Sequence, residues 1–206
     1  MSEEQPVIAF ANHTNWWDGL IVFLLTRSLR SKDFYCMMEE RQMMHYSFFA
    51  WLGAFSVDLD NRIRAAATIR YACNLLKNKR SMVWIFPQGE MVSEYDDVQV
   101  KPGVDFLAKR FKHAQMLPMA LHYEFRREQR PFVFLRFGAP YSARDNTDER
   151  LESELQNLVD QIRSNCQSGD FSEYQPLLKP ALSINKRWEW VKRLFTGKLS
   201  GFSRDN

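Results

Sequence analysis

The sequence predicts an α/β domain: a mostly parallel or mixed sheet flanked by helices. Three observations predict it. Short apolar runs such as VIAFA (7–11), SMVWIF (81–86) and QMLPMALHY (115–123) read as strands. Segments of helical character separate them at the spacing of βα units. Two polar motifs, at 12–18 and 87–90, each follow an apolar run, and in open α/β sheets ligands gather at the carboxyl ends of strands.

Taken in order, VIAFA is a buried strand that ends at Asn12. Asn12, Thr14 and Asn15 are each able to cap the next element, and GLIVFLLTRSL reads as an apolar helix. DFYCMM (33–38) and FSVDL (55–59) are strands, with a short helix between them that ends at Gly53. Over 61–80, Ile63, Ala66, Ile69, Cys73 and Leu76 recur at spacings of three or four, with basic residues between, which predicts an amphipathic helix. SMVWIF is a strand and PQGE a turn at its carboxyl end. PGVDFLAKRF (102–111) is a helix opened by a proline, and QMLPMALHY and PFVFLRFG (131–138) are strands. Leu151, Leu155, Leu158 and Ile162 form the stripe of a further helix, with Asn146 and Glu149 at capping-box spacing. Residues 169–185 read as a connecting segment, with a final helix at 184–195.

Hydrophobic residues make up 45% of the 206 and charged residues 26%, a folding composition rather than a disordered one. A net charge of +3 is a weak argument for nucleic acid, which is not expected as a partner. Sixteen phenylalanines, seven tyrosines and six tryptophans suit a large core, an apolar ligand tunnel or a membrane-facing patch. Cys36, Cys73 and Cys166 are odd in number and widely spaced, so neither a disulfide framework nor a zinc motif is expected, and a reducing interior is the simplest reading. MSEEQPVIAF does not read as a signal peptide, and no run reaches the length of a spanning helix. The expected location is therefore cytoplasmic, peripheral on the inner face of the cell membrane.

The chemistry concentrates in ANHTNWWDGL (11–20). His13 and Asp18 are five apart, which is awkward on a straight helix but workable across a turn entering one. There the aspartate reaches back to one imidazole nitrogen and leaves the other as a base. A structural hydrogen-bond pair fits the same residues. No HExxH or HxH pattern accompanies the other histidines, so no metal site is expected. No G-x-S-x-G elbow supplies a nucleophile. A His–Asp pair without a protein nucleophile suits direct transfer of an acyl group to an alcohol. Trp16 and Trp17 are core residues or one wall of an acyl pocket.

NHTNWWD resembles the first motif of the PlsC-like glycerolipid and lysophospholipid acyltransferases, whose essential core, H-x4-D, is met by His13 and Asp18. FPQGE (86–90) is similar to the third motif of that family, GAFSVDLDNR (53–62) to the second and LPMAL (117–121) to the fourth. The resemblance implies one acyltransferase domain over 1–206, with a motif-bearing core at about 5–140 and a helical part at about 146–200. It implies that His13 deprotonates an acceptor hydroxyl and that Asp18 orients it. The alkoxide attacks an acyl thioester, acyl-CoA or acyl-carrier protein, as co-substrate, without an acyl-enzyme and without a cofactor. Substrate-binding residues implied are Trp17, Gly53, Arg62, Phe86, Pro87, Gln88, Gly89, Glu90, Lys101 and Pro118, with the third motif, Gly89 in its turn, lining the acceptor site and helping to stabilise the reacting oxygen. The membrane surface and a lipid alcohol are the expected partners.

The chain departs from the family pattern at two places. Gln88 stands where the third motif usually has glutamate, so either Gln88 or the neighbouring Glu90 takes that role. Leu59 occupies the second motif's arginine position, which argues against ordinary lysophosphatidic acid as acceptor. Lys101 is a candidate for CoA or acceptor phosphate. At 184–195, Trp188, Val191 and Phe195 share a face with basic neighbours, as an interfacial anchor or as a docked helix. A noncatalytic lipid-binding protein of the same fold and an acyl thioesterase are the alternatives to the transferase.

Overall fold

The computed structural model describes residues 5–29, 31–126 and 130–178. The chain separates into two compact units, one of residues 1–122 and 134–164, the other of residues 123–133 and 165–206. In the second, the Arg126 guanidinium lies 4.2 Å over the Phe171 ring. The anchor segment at 184–195 falls outside the described residues.

The first unit is an α/β domain built on a mixed sheet. The strands of the chain, among the described residues, are β1 (Val7–Ala11), β2 (Asp33–Glu39), β3 (Ala54–Val57), β4 (Ser81–Ile85), β5 (Gln115–Glu124), β6 (Phe132–Phe137) and β7 (Tyr141–Ser142). The spatial order is β3-β2-β4-β1-β5-β6, with β7 on β5. β3, β2, β4, β1 and β5 run parallel, and β7 is antiparallel. β1 and β4 are buried along their whole length, which is why both read as continuous apolar runs rather than alternating ones.

The helices are α1 (Asp18–Ser28), α2 (Glu40–His45), α3 (Phe48–Trp51), α4 (Arg62–Leu75), α5 (Gly103–Arg110) and α6 (Asp148–Ser168). α1 carries the first motif's aspartate at its first position, so its docking fixes the site. Val22 and Thr26 face inward, and the indole N–H of fully buried Trp84 donates to Thr26 Oγ1 at 2.7 Å. A buried Trp N–H needs such a partner, and here it pins α1 to β4.

Three expectations change. The single helix expected before Gly53 is two short ones, because β2 runs on to Glu39 and α2 ends at His45. Gly53 then turns the chain at φ +104°, where a Cβ would sit 2.5 Å from the Phe34 carbonyl oxygen. On α4, Ile69, Ala72 and Leu76 are buried while Ile63 is 82% exposed, so the core stripe is shorter than the periodicity implied. Asn61 caps this helix by accepting from the Ile63 and Arg64 amides. Asn146 is no cap. It is buried between Tyr141 Oη and Asp105 Oδ1, and Thr147 Oγ1 accepts from the Arg150 amide in its place. The stripe of α6 is as expected: Leu151, Leu155, Leu158 and Ile162 are all buried.

Candidate active site

β1 and β4 are neighbours, so the loops that leave their carboxyl ends meet. The first loop is fixed at its root by Asn12. Its side chain donates to the Leu121 carbonyl at 2.9 Å and accepts from the Leu121 amide at 2.7 Å. This buried side chain continues the β1–β5 ladder where the strand ends, which is a different role from the cap the sequence offered.

Beyond Asn12 the chain wraps around one carboxylate. Asp18 Oδ2 accepts from the Thr14 and Asn15 amides, both at 2.9 Å, and from His13 Nδ1 at 2.8 Å. Asp18 is fully buried, whereas the His13 side chain keeps 23% of its exposure. Nδ1 faces a carboxylate oxygen and so carries the proton, which leaves Nε2 as the acceptor. The imidazole stacks on Phe86 at 4.4 Å and 25°, which further restricts its rotation.

The third motif holds His13 from the other side. Gln88 is buried, and its Oε1 accepts from the His13 amide at 2.6 Å, while the Val92 amide donates to the His13 carbonyl at 3.0 Å. Gln88 is not part of the cavity wall next to His13. It works on the backbone, where an amide oxygen accepts as well as a carboxylate oxygen would, and this explains how glutamine fits the position. Gly89 has φ +73° and its amide is spent on the Phe86 carbonyl, closing the turn. Its N–H is therefore engaged within the turn itself. A Cβ at Gly89 would lie 2.9 Å from the Lys101 side chain, which crosses the turn. Glu90 is exposed and pairs with Lys101 Nζ at 3.0 Å.

His13 opens onto a cavity of about 280 Å³, near the lower end of the usual range for ligand sites, roughly 300–1,000 Å³. Its wall is mostly apolar. Phe23 comes from α1, Phe34, Cys36 and Met38 from β2, and Phe49 and Leu52 from the α3 region. Phe86, Pro87, Gly89, Glu90 and Lys101 line it. Trp17, Gly53, Arg62 and Pro118 do not. Trp16 is the tryptophan of the wall, and Trp17 is 56% exposed. Gly53 serves the turn beside Phe34. Arg62 starts α4 on the surface. Pro118 is buried in β5 opposite Phe10, against the Gly138 backbone. Sequence reasoning missed the whole contribution of β2. DFYCMM reads as an apolar strand, but that its carboxyl end reaches the same edge of the sheet as His13 follows only from the parallel pairing of β2 with β4 and of β4 with β1.

The lining contains one thiol and, among the described residues, no serine or threonine. Burial pushes the Cys36 thiol up to about 12. It is a wall residue, because the thiolate is the nucleophilic form.

Residues 1–122 match the family model described as Acyltransferase. The chain belongs to the acyltransferase family. A Caenorhabditis elegans protein with the provisional name 1-acyl-sn-glycerol-3-phosphate acyltransferase acl-2 is 29% identical over 112 residues, 52% of this chain and 38% of that protein. The match thus spans less than half of that relative's length. In the acyltransferase domain of this chain, the matched region contains His13, Asp18, the third-motif turn and every residue of the cavity wall.

Proposed function

We propose that the protein transfers a fatty-acyl group from an acyl thioester to the hydroxyl of a lipid alcohol. The observation that carries this is the His13–Asp18 pair, with Nδ1 engaged and Nε2 free, on the wall of an apolar cavity without a usable protein nucleophile. Nε2 takes the proton of the acceptor hydroxyl as its oxygen attacks the thioester carbonyl carbon. Asp18 balances the imidazolium that forms. When the tetrahedral adduct collapses, the C–S bond breaks, the ester forms and the thiol departs with the proton held by His13. The acyl chain occupies the space between α1, β2 and α3. The donor, acyl-CoA or an acyl-carrier protein, is a co-substrate, and the scheme calls for no metal or other cofactor.

The protein works at a membrane surface, from the cytoplasmic face. No helix among the described residues is long and apolar enough to cross a membrane. Trp17 and Trp51 are 56% and 91% exposed, the kind of side chain that settles at a lipid interface.

Acyl-CoA supplied with and without a lipid alcohol in mixed micelles tests the reading. Ester that forms only with acceptor is the expected result. Free fatty acid formed at the same rate with or without acceptor, or no consumption of donor, would overturn it.

A further inference from the structure

The cavity wall is poor in charge, and its few charges have the wrong sign for a phosphate. Among the described lining residues, Glu39 and Glu90 are the carboxylates and Lys101 is the side chain with a permanent positive charge. Lys101 is compensated by Glu90 at 3.0 Å. Glu39, at the end of β2, caps nothing and has no ion-pair partner among the described residues. One carboxylate is left over on the wall.

The second-motif segment adds no cation. Leu59, an uncharged residue, lines the cavity there. The nearby arginines are turned to carboxylates outside the wall: Arg64 to Asp58 at 2.9 Å and to Glu40, Arg41 to Asp60 at 2.6 Å. Arg62 is outside the lining. A phosphomonoester carries about −1.5 to −2 charges near neutral pH. In this cavity it would meet an unpaired carboxylate and a lysine already neutralised, and like-charge juxtaposition rejects wrong partners. Hydroxyl groups are suited to the same wall, since a carboxylate accepts strong hydrogen bonds from them.

We propose that the acceptor is a lipid alcohol with an uncharged, hydroxyl-bearing headgroup, selected by Glu39 and Leu59. This rests on the acyl-transfer reading of the same site.

The test compares three acceptors of matched chain length in uncharged micelles, with acyl-CoA as donor: a monoacylglycerol, a long-chain alkyl glucoside and a 1-acylglycerol 3-phosphate. The expected result is a kcat/KM for the better uncharged acceptor that exceeds that of the phosphate by about tenfold or more. Whichever uncharged acceptor leads identifies a glycerol or a sugar as the headgroup. The double variant Glu39→Gln, Leu59→Arg should move the ratio toward the phosphate by about tenfold. A wild-type protein that prefers the phosphate overturns this inference and leaves acyl transfer standing. A variant that folds with an unchanged ratio removes Glu39 and Leu59 as the selecting residues. Absence of ester from all three acceptors overturns the acyl-transfer reading and this inference with it.

Discussion

Two edges of the same cavity are built in different ways. On the β1–β4 side, the motif residues are buried and tied by short hydrogen bonds: Asn12 to Leu121, Asp18 to His13 and two amides, Gln88 to the His13 amide. On the β3–α4 side, the contacts are ion pairs in solvent, such as Arg41 with Asp60, whose side chains are 74% and 73% exposed. Leu59 and Ile63 there are 48% and 82% exposed. An unmade hydrogen bond in the first region leaves a buried polar group without water, whereas a lost exposed ion pair is replaced by hydration. The His13–Asp18 pair is therefore held rigidly, and the β3–α4 edge is free to vary.

The largest expected effect that would break this contrast lies at Asp18. Asp18→Ala removes the acceptor of two amides and of Nδ1 together, and it should lower turnover by about 10²–10⁴ and lower the melting temperature as well. Asp18→Asn should cost turnover about as much or less. Steady-state rates beside a thermal melt check both. An Asp18→Ala protein with wild-type turnover would mean that the pair is only structural.

Gln88 comes next. Gln88→Ala leaves the part-buried His13 amide without its acceptor, which should cost about 1–3 kcal/mol of stability and reduce kcat more than it raises KM. Gln88→Glu keeps an acceptor oxygen and should restore much of kcat, a recovery that general loss of packing would not give. Glu90→Gln, at an exposed pair, should do less than Gln88→Ala. This reverses the order expected if Glu90 carried the motif's acid function, and a larger effect at Glu90 would restore that reading.

Cys36 sharpens the same point on the cavity wall. With a thiol pushed up to about 12 by burial, only about one molecule in 10⁴ is thiolate at pH 8. Iodoacetamide at pH 8 should leave Cys36 unmodified in the folded protein and label it after denaturation, as read by peptide mass. Rapid labelling in the folded state would make Cys36 a candidate nucleophile and reopen a covalent route.

The smallest effect belongs to the β3–α4 edge. Arg41→Ala and Asp60→Ala should leave the melting temperature within measurement error, because an exposed pair competes with water and salt. A clear drop would mean that this edge is as tightly built as the other.

The same contrast governs what the sequence made legible. β1, β4 and α6 were readable because each is buried along one continuous run or one stripe, and His13 and Asp18 because a turn into a helix brings residues five apart together. Gln88 was visible as a motif member, but its action on a backbone amide 75 residues away was not. Asn146 misled because a capping spacing says nothing about a buried partner such as Tyr141. Trp17 and Trp16 were interchangeable in sequence, and only the entry angle of α1 decides which one faces the cavity. The contribution of β2 depends on strand order, β2 beside β4 and β4 beside β1, which a sequence of alternating elements leaves open.

The central claim is that the free nitrogen of His13 activates an acceptor hydroxyl for direct acyl transfer. The measurement that bears on it most directly is acceptor-dependent ester formation by His13→Ala, beside its melting curve and the mass of the protein after incubation with acyl-CoA alone. The account predicts a wild-type melt, loss of turnover by about 10²–10⁴, and no acyl adduct on either protein. Near-normal turnover in a folded His13→Ala protein, or an acyl adduct that an added lipid alcohol then discharges, would contradict it.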